Sequence, residues 1–184
     1  MKSSRAFTLI ELLIVIAIIG ILMSLLFPAV NSAIDSARKA QAKNDVTQIA
    51  TAVIAYETEY GRLPLPASTT VDTALINTLI GVAGNTNNPR QIAFLEVGAA
   101  KRGKGGTNGS GFVDPWALMP PNSPTITYKI TMDTDYNNTI DSAVGTSPGP
   151  TAASGEIRKR VVVWNQAQGK DDAQKKRRSV ASWE

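Results

Sequence analysis

The sequence predicts an α+β protein in which one long N-terminal helix, membrane-spanning in its first half, packs on a small antiparallel sheet. Three observations predict it. Hydrophobic residues make up 43% of the 184, but 19 of the 24 positions over 7–30 are apolar, which leaves the rest of the chain a modest core. Past Val30 the pattern turns amphipathic, with Ile34, Ala37, Val46, Ile49, Ala50, Val53 and Ile54 at helical spacing. Finally, Ile126, Tyr128, Ile130 and Met132 alternate with Thr127, Lys129 and Thr131 as in a half-buried strand, and Ile157 and 161–164 make a second strand signal.

The helix is justified first. Lys2 and Arg5 precede the apolar run, as in a secretory leader or membrane anchor. From Leu12 to Val30 is 19 residues, or roughly 28 Å of helix, close to the ~30 Å hydrocarbon core of a bilayer. No A-x-A-like cleavage site follows, so the segment is expected to stay on the protein. The positive flank places the N-terminus in the cytoplasm and the bulk of the chain across the membrane. No glycine or proline interrupts 29–60, and Gly61 is a natural stop.

Glu11 does not fit a simple anchor, because a carboxylate at the bilayer centre costs a few kcal/mol. Either it sits near the headgroups or it gains a cationic partner on assembly. The chain has no histidine, and no Lys or Arg lies between Arg5 and Arg38. A free amine made by cleavage nearby, on a neighbouring subunit, would serve as that partner.

The run Arg5, Ala6, Phe7, Thr8, Leu9, Ile10, Glu11, Leu12, Leu13 behind a short basic leader resembles the prepilin cleavage and methylation motif of type IV pilins and type II secretion pseudopilins. The resemblance implies that prepilin peptidase cuts between Ala6 and Phe7 and methylates the new Phe7 amine. Glu11 then pairs with the Phe7 amine of an adjacent subunit during assembly. Ala6 stands where the family usually has glycine. Loss of Lys2 and Arg5 lowers the net charge from +4 to +2. Pro28 removes a helical hydrogen bond and Gly20 weakens the helix. In the family, looser helix here goes with fibre packing, whereas a membrane helix also tolerates both residues. The segment ending in Tyr60, Gly61, Arg62, Leu63 and Pro64 resembles the end of the first helix in the major pseudopilin.

The implied layout is pilin-like: a leader over 1–6, a transmembrane and assembly helix over 7–30, its amphipathic continuation over 31–61, and an α+β head over 62–184. In the head, 71–80 reads as a short helix closed by Gly81, 85–88 as a turn, and 92–97 as a helix end or a strand. The stretch 98–124 holds ten of the 24 glycines and prolines and reads as a flexible loop or tight turns rather than a regular element. Within it, Gly98 to Lys104 matches the start of a phosphate-binding loop, but Gly105 replaces the Ser or Thr that binds Mg²⁺, so a nucleotide site is rejected. Asp114, Pro115 and Trp116 resemble the Asp-Pro-Trp of major pseudopilins. The Ser-, Gly- and Pro-rich 142–155 reads as an exposed, mobile excursion.

Two clusters carry candidate chemistry. Asp133, Asp135, Asn137, Thr139 and Asp141 offer oxygens at alternate positions after a strand, a donor set that suits Ca²⁺ and equally suits an Asp/Asn-rich turn. The EF-hand glycine and terminal glutamate are missing. The C-terminus, from Trp164 to Ser182 and Trp183, resembles the final, calcium-binding loop of major pseudopilins. Here Gln168 replaces the usual Asp, and the adjacent cations Lys175, Lys176, Arg177 and Arg178 repel a divalent metal. That basic run reads as a solvated loop, or as a contact to an acidic neighbour or a lipid headgroup.

Absence of Cys and His excludes disulfides, Cys/His zinc sites and His-based triads. The resemblance implies a non-enzymatic fibre subunit of a type II secretion system, anchored in the inner membrane by a single pass with a periplasmic head. Its expected partners are prepilin peptidase, other copies of itself, minor pseudopilins, and an inner-membrane assembly platform with a cytoplasmic ATPase. No nucleic acid is expected, and Ca²⁺ is the one cofactor raised. A type IV pilin for adhesion, motility or DNA uptake is the near alternative. A membrane-anchored hydrolase using Asp133/Asp135 or Asp171/Asp172 is the distant one, since neither pair has a legible apolar pocket.

Overall fold

The computed structural model describes residues 8–64, 69–101, 104–109, 111–116, 128–145, 149–166 and 169–183. The chain divides into two compact units, Met1–Ala37 and Arg38–Glu184. Helix α1, Leu9–Tyr60, is 52 residues long and contains Pro28 without interruption. In the first unit every residue from Thr8 to Ile34 is exposed.

In the second unit α1 buries one stripe: Ala42, Asp45, Val46, Ile49, Ala50, Ala52, Val53, Tyr56 and Glu57, the spacing of a single helical face. Ile34, Ala37 and Ile54, expected on that stripe, are exposed. The first two precede the second unit, and Ile54 falls one position off the buried face. Gly61 ends the helix at φ +66, its N–H donating to the Glu57 carbonyl at 2.7 Å, a left-handed cap that only glycine adopts without strain.

Helix α2, Thr73–Leu79, is shorter than the sequence predicts, because Asp72 caps it by accepting from the Leu75 N–H at 2.9 Å while Val71 bonds in a bridge to Tyr128 and Phe112. Residues 92–97 are neither helix nor strand. Instead the Phe94 and Leu95 N–H groups both donate to the Leu79 carbonyl, pinning Leu95 in the core. The stretch expected to hold no regular element carries a hairpin of β1, Gly106–Asn108, and β2, Gly111–Val113. Gly111 permits it: at φ +135, a Cβ there would lie 2.3 Å from the Val71 carbonyl oxygen. Residues 117–127, which include the expected strand start at Ile126, lie outside the described residues.

The central pair is β3, Tyr128–Met132, antiparallel to β6, Val161–Asn165, with Tyr128 opposite Asn165 and Met132 opposite Val161. Tyr128, Ile130 and Met132 face the main core with Val161 and Val163, so the alternation read in β3 holds. Ile157 lies outside the strand. All five residues of β6 are buried, because its other face, Val162 and Trp164, has a core of its own with Ile140, Val144, Ala152, Ile157 and Ala181. The expected excursion over 142–155 supplies that cover: β4, Val144–Gly145, pairs with β5, Thr151–Ala152, and turns Val144 and Ala152 inward. The basic run expected to be loop is helix α3, Asp172–Arg178, capped by Asp171, which accepts from the Gln174 N–H at 2.7 Å. Its four cations fall in the last turn, where they suit the helix dipole. A long apolar helix with small antiparallel sheets is therefore the pilin-like α+β layout that the sequence predicts.

Candidate functional site

The apolar part of α1 is long and apolar enough to cross a membrane, and none of that window is buried within the chain. Fifteen large hydrophobic side chains from Leu9 to Phe27 stand exposed, far beyond what a soluble monomer presents as one patch. Such a surface fits membrane anchoring.

At its start Thr8 and Glu11 form a reciprocal cap. Glu11 Oε2 accepts from the Thr8 N–H at 2.8 Å and from the Thr8 hydroxyl at 2.7 Å, and the Glu11 N–H donates to Thr8 Oγ1 at 3.3 Å. This is the capping box, in which the first-turn carboxylate closes the orphan N–H of the cap residue. Thr8 escaped the sequence reading although its signal, Thr-x-x-Glu before an apolar run, was present. Ala6 and Phe7 lie outside the described residues. Pro28 sits in the exposed tract and denies the Ser24 carbonyl a partner, while the Ser24 hydroxyl is satisfied by the Ile21 carbonyl at 2.8 Å.

The acidic loop after β3 is held by its own backbone. Asp133, buried, accepts from the Asn137 N–H at 3.2 Å and the Asn138 N–H at 2.7 Å. Asn137 Nδ2 donates to Asp135 Oδ2 at 2.7 Å and to Asp141 at 3.3 Å. Burial pushes the Asp133 carboxyl up, but hydrogen bonds from Asp135 and from the Asn138, Asn137 and Tyr136 backbone outweigh it and hold it below the ordinary range. Asp135 is raised, chiefly by the hydrogen bond to Asp133. Among the described residues no group of three acidic side chains converges to hold a metal. The Asp133 carboxylate is turned onto backbone N–H groups, and Asn137 bridges Asp135 and Asp141. The loop is tied to α1 through Arg160, which pairs with Glu57 and stacks 4.9 Å over the Tyr136 ring, and through Tyr136 Oη, which accepts from the Leu63 N–H at 3.3 Å.

Two further polar sites lie in the head. Tyr128 Oη donates to Asp45 Oδ2 at 2.9 Å; desolvation pushes Asp45 up to about 6 against the lowering effect of that bond. Gly98, Ala99, Lys101, Lys104 and Gly105 line, with Asp45 and Phe112, an open cavity of about 390 Å³. Gly105 leads into strand β1 rather than a helix, so no helix N-terminus is there to receive a phosphate. Arg102 and Gly103 lie outside the described residues. Asp114 is fully buried, accepting from the Trp116 N–H at 2.9 Å and from Asn165 Nδ2 at 3.3 Å. Asn165 also bonds the Arg178 carbonyl and the Val180 N–H, and Arg178 lies 5.9 Å over Trp116. The Asp-Pro-Trp segment thus anchors the C-terminal helix. Gln168 lies outside the described residues.

Residues 1–27 match the family model of the prokaryotic N-terminal methylation motif, the prepilin-type motif shared by pseudopilins and type IV pilins. No curated protein and no solved structure matches the chain.

Proposed function

We propose that the chain is a structural subunit of a type II secretion pseudopilus. Prepilin peptidase cuts it between Ala6 and Phe7 and methylates the new amine. The apolar helix holds it in the inner membrane by a single pass until assembly, with the head in the periplasm. Glu11 then leaves its cap on Thr8 and pairs with the Phe7 amine of the neighbouring copy. Minor pseudopilins and an inner-membrane platform with a cytoplasmic ATPase complete the assembly. The observation that carries the reading is the methylation motif set on an apolar helix with no cover inside its own chain.

A type IV pilin uses the same motif. The features that favour secretion are the Gly-Arg-Leu-Pro after α1, the Asp-Pro-Trp at 114–116 and the terminal Ser-Trp. Deleting the chain separates the two: loss of exported proteins with intact motility, adhesion and DNA uptake supports secretion. The opposite pattern assigns a pilus. Mass measurement of the mature chain should give a methylated Phe7 N-terminus; an intact leader overturns both.

A further inference from the structure

The β3–β6 sheet carries opposite charges at its two ends. β3 leaves the sheet at Met132, opposite Val161, into the loop that bears Asp133, Asp135 and Asp141. At the other end, where Tyr128 faces Asn165, the Asn165 side chain holds the Arg178 carbonyl at 2.8 Å and so fixes the last turn of α3. Five residues of strand separate the ends by roughly 15 Å.

Neither end is neutralised locally. At the acidic end Arg160 is committed to Glu57 and Lys159 donates to the Ser182 carbonyl at 2.7 Å. At the basic end Asp171 caps α3 and Asp172 reaches Lys175 at 3.5 Å. Lys170, Lys176 and Arg177 are exposed and form no ion pair among the described residues. Asp135 and Asp141 are exposed as well.

We propose that the acidic loop 133–141 of one copy docks against α3 of the next, with Asp135 and Asp141 facing Lys176 and Arg177. The occupant is a second copy because one chain carries both a charge set and its complement, at separated places. An anionic membrane would take the basic end and repel the other. A contact between unlike patches of identical chains does not close on itself but propagates. Exposed ion pairs are individually weak, yet opposed patches orient approaching partners and penalise wrong registers. The inference rests on the fibre-subunit reading and specifies how its heads meet.

The chain lacks cysteine, so introduced thiols report cleanly. In full-length protein, Asp135→Cys combined with Lys176→Cys should give, with a short bismaleimide, a ladder of dimer, trimer and larger species in fibres. Each single variant should stop at dimer. Lys176→Glu with Arg177→Glu should cut the assembled fraction about tenfold at low salt, as should Asp135→Lys with Asp141→Lys. All four changes in one chain should restore assembly, which a folding defect would not allow. Fibres without a ladder, or a fourfold variant no better than its halves, overturn the contact and leave the fibre role standing. A wild-type chain that forms no fibres overturns both.

Discussion

Glu11 Oε2 takes both the N–H and the hydroxyl of Thr8, at 2.8 and 2.7 Å, so the carboxylate in the apolar tract is satisfied within its own first turn. Under the proposed function, assembly through Glu11 is an exchange of partners. The cap lowers the cost of holding Glu11 in an apolar setting before a neighbouring amine arrives. Glu11→Lys should abolish fibre incorporation while membrane fractionation still finds the chain inserted. Thr8→Val should leave incorporation possible but lower the yield, since a lost cap costs about 1 kcal/mol. Normal fibres from the Glu11 variant would remove the pairing from the mechanism.

Ala6 is the small residue before the proposed cut. Ala6→Leu should leave full-length precursor in the membrane, seen as the unprocessed mass. Appearance of the mature mass from that variant would move the cleavage site elsewhere.

Asp45 makes the head sensitive to pH. Its carboxyl titrates near 3.8 when unperturbed and at about 6 in the fold, so folding favours the protonated form. A soluble fragment beginning at Ser32 should, as far as this group decides, be most stable below about pH 4, lose stability as pH rises from there to about 6, by up to about 3 kcal/mol, and change little above that. Asp45→Asn keeps an acceptor for the Tyr128 hydroxyl and should raise the melting temperature at pH 8 but not at about pH 3.5. An equal effect at both values would show that Asp45 is not the titrating group.

The acidic loop stands on Asp133. Asp133→Ala removes a carboxylate that accepts two backbone N–H groups and should cost about 2 kcal/mol in urea unfolding of the same fragment. Because the Asp133 carboxyl is lowered in the fold, its contribution is present above pH 4 and falls away as pH drops further. A chelator that leaves the wild-type melting curve unchanged assigns the loop as a turn, and a drop in melting temperature on chelation assigns it calcium.

Arg160 joins that loop to α1. Arg160→Ala breaks the pair with buried Glu57 and uncovers Tyr136, and should cost about 1–3 kcal/mol. Glu57→Ala with Arg160→Ala should cost less than the sum of the two single changes, since each leaves the other unpaired. Additive losses would mean that the two side chains act independently.

The long apolar helix was legible in the sequence because hydrophobicity, the basic flank and the stop at Gly61 are local properties, readable along a single helix. The strand β3 was legible for the same reason: one face is buried and the alternation survives. β6 gave a weaker signal, since both its faces are buried and a continuous Val-Val-Val-Trp run fixes no period. Nothing local marked Asn88, whose side chain bonds the Thr78 and Ile92 carbonyls and the Tyr60 hydroxyl, or Asn165, which ties Asp114 to α3.

By itself the sequence determined that this protein has a long apolar helix bearing a prepilin-type motif, with one carboxylate set into it, and a small α+β head. Only the tertiary structure decided that Val144 and Ala152 cover β6, that the basic run is a helix held by Asn165, and that the acid and base clusters lie at opposite ends of one sheet. The physical reason is that these depend on pairings between residues distant in sequence. Such pairings leave no periodicity behind, whereas a helix must carry its burial pattern in its own spacing.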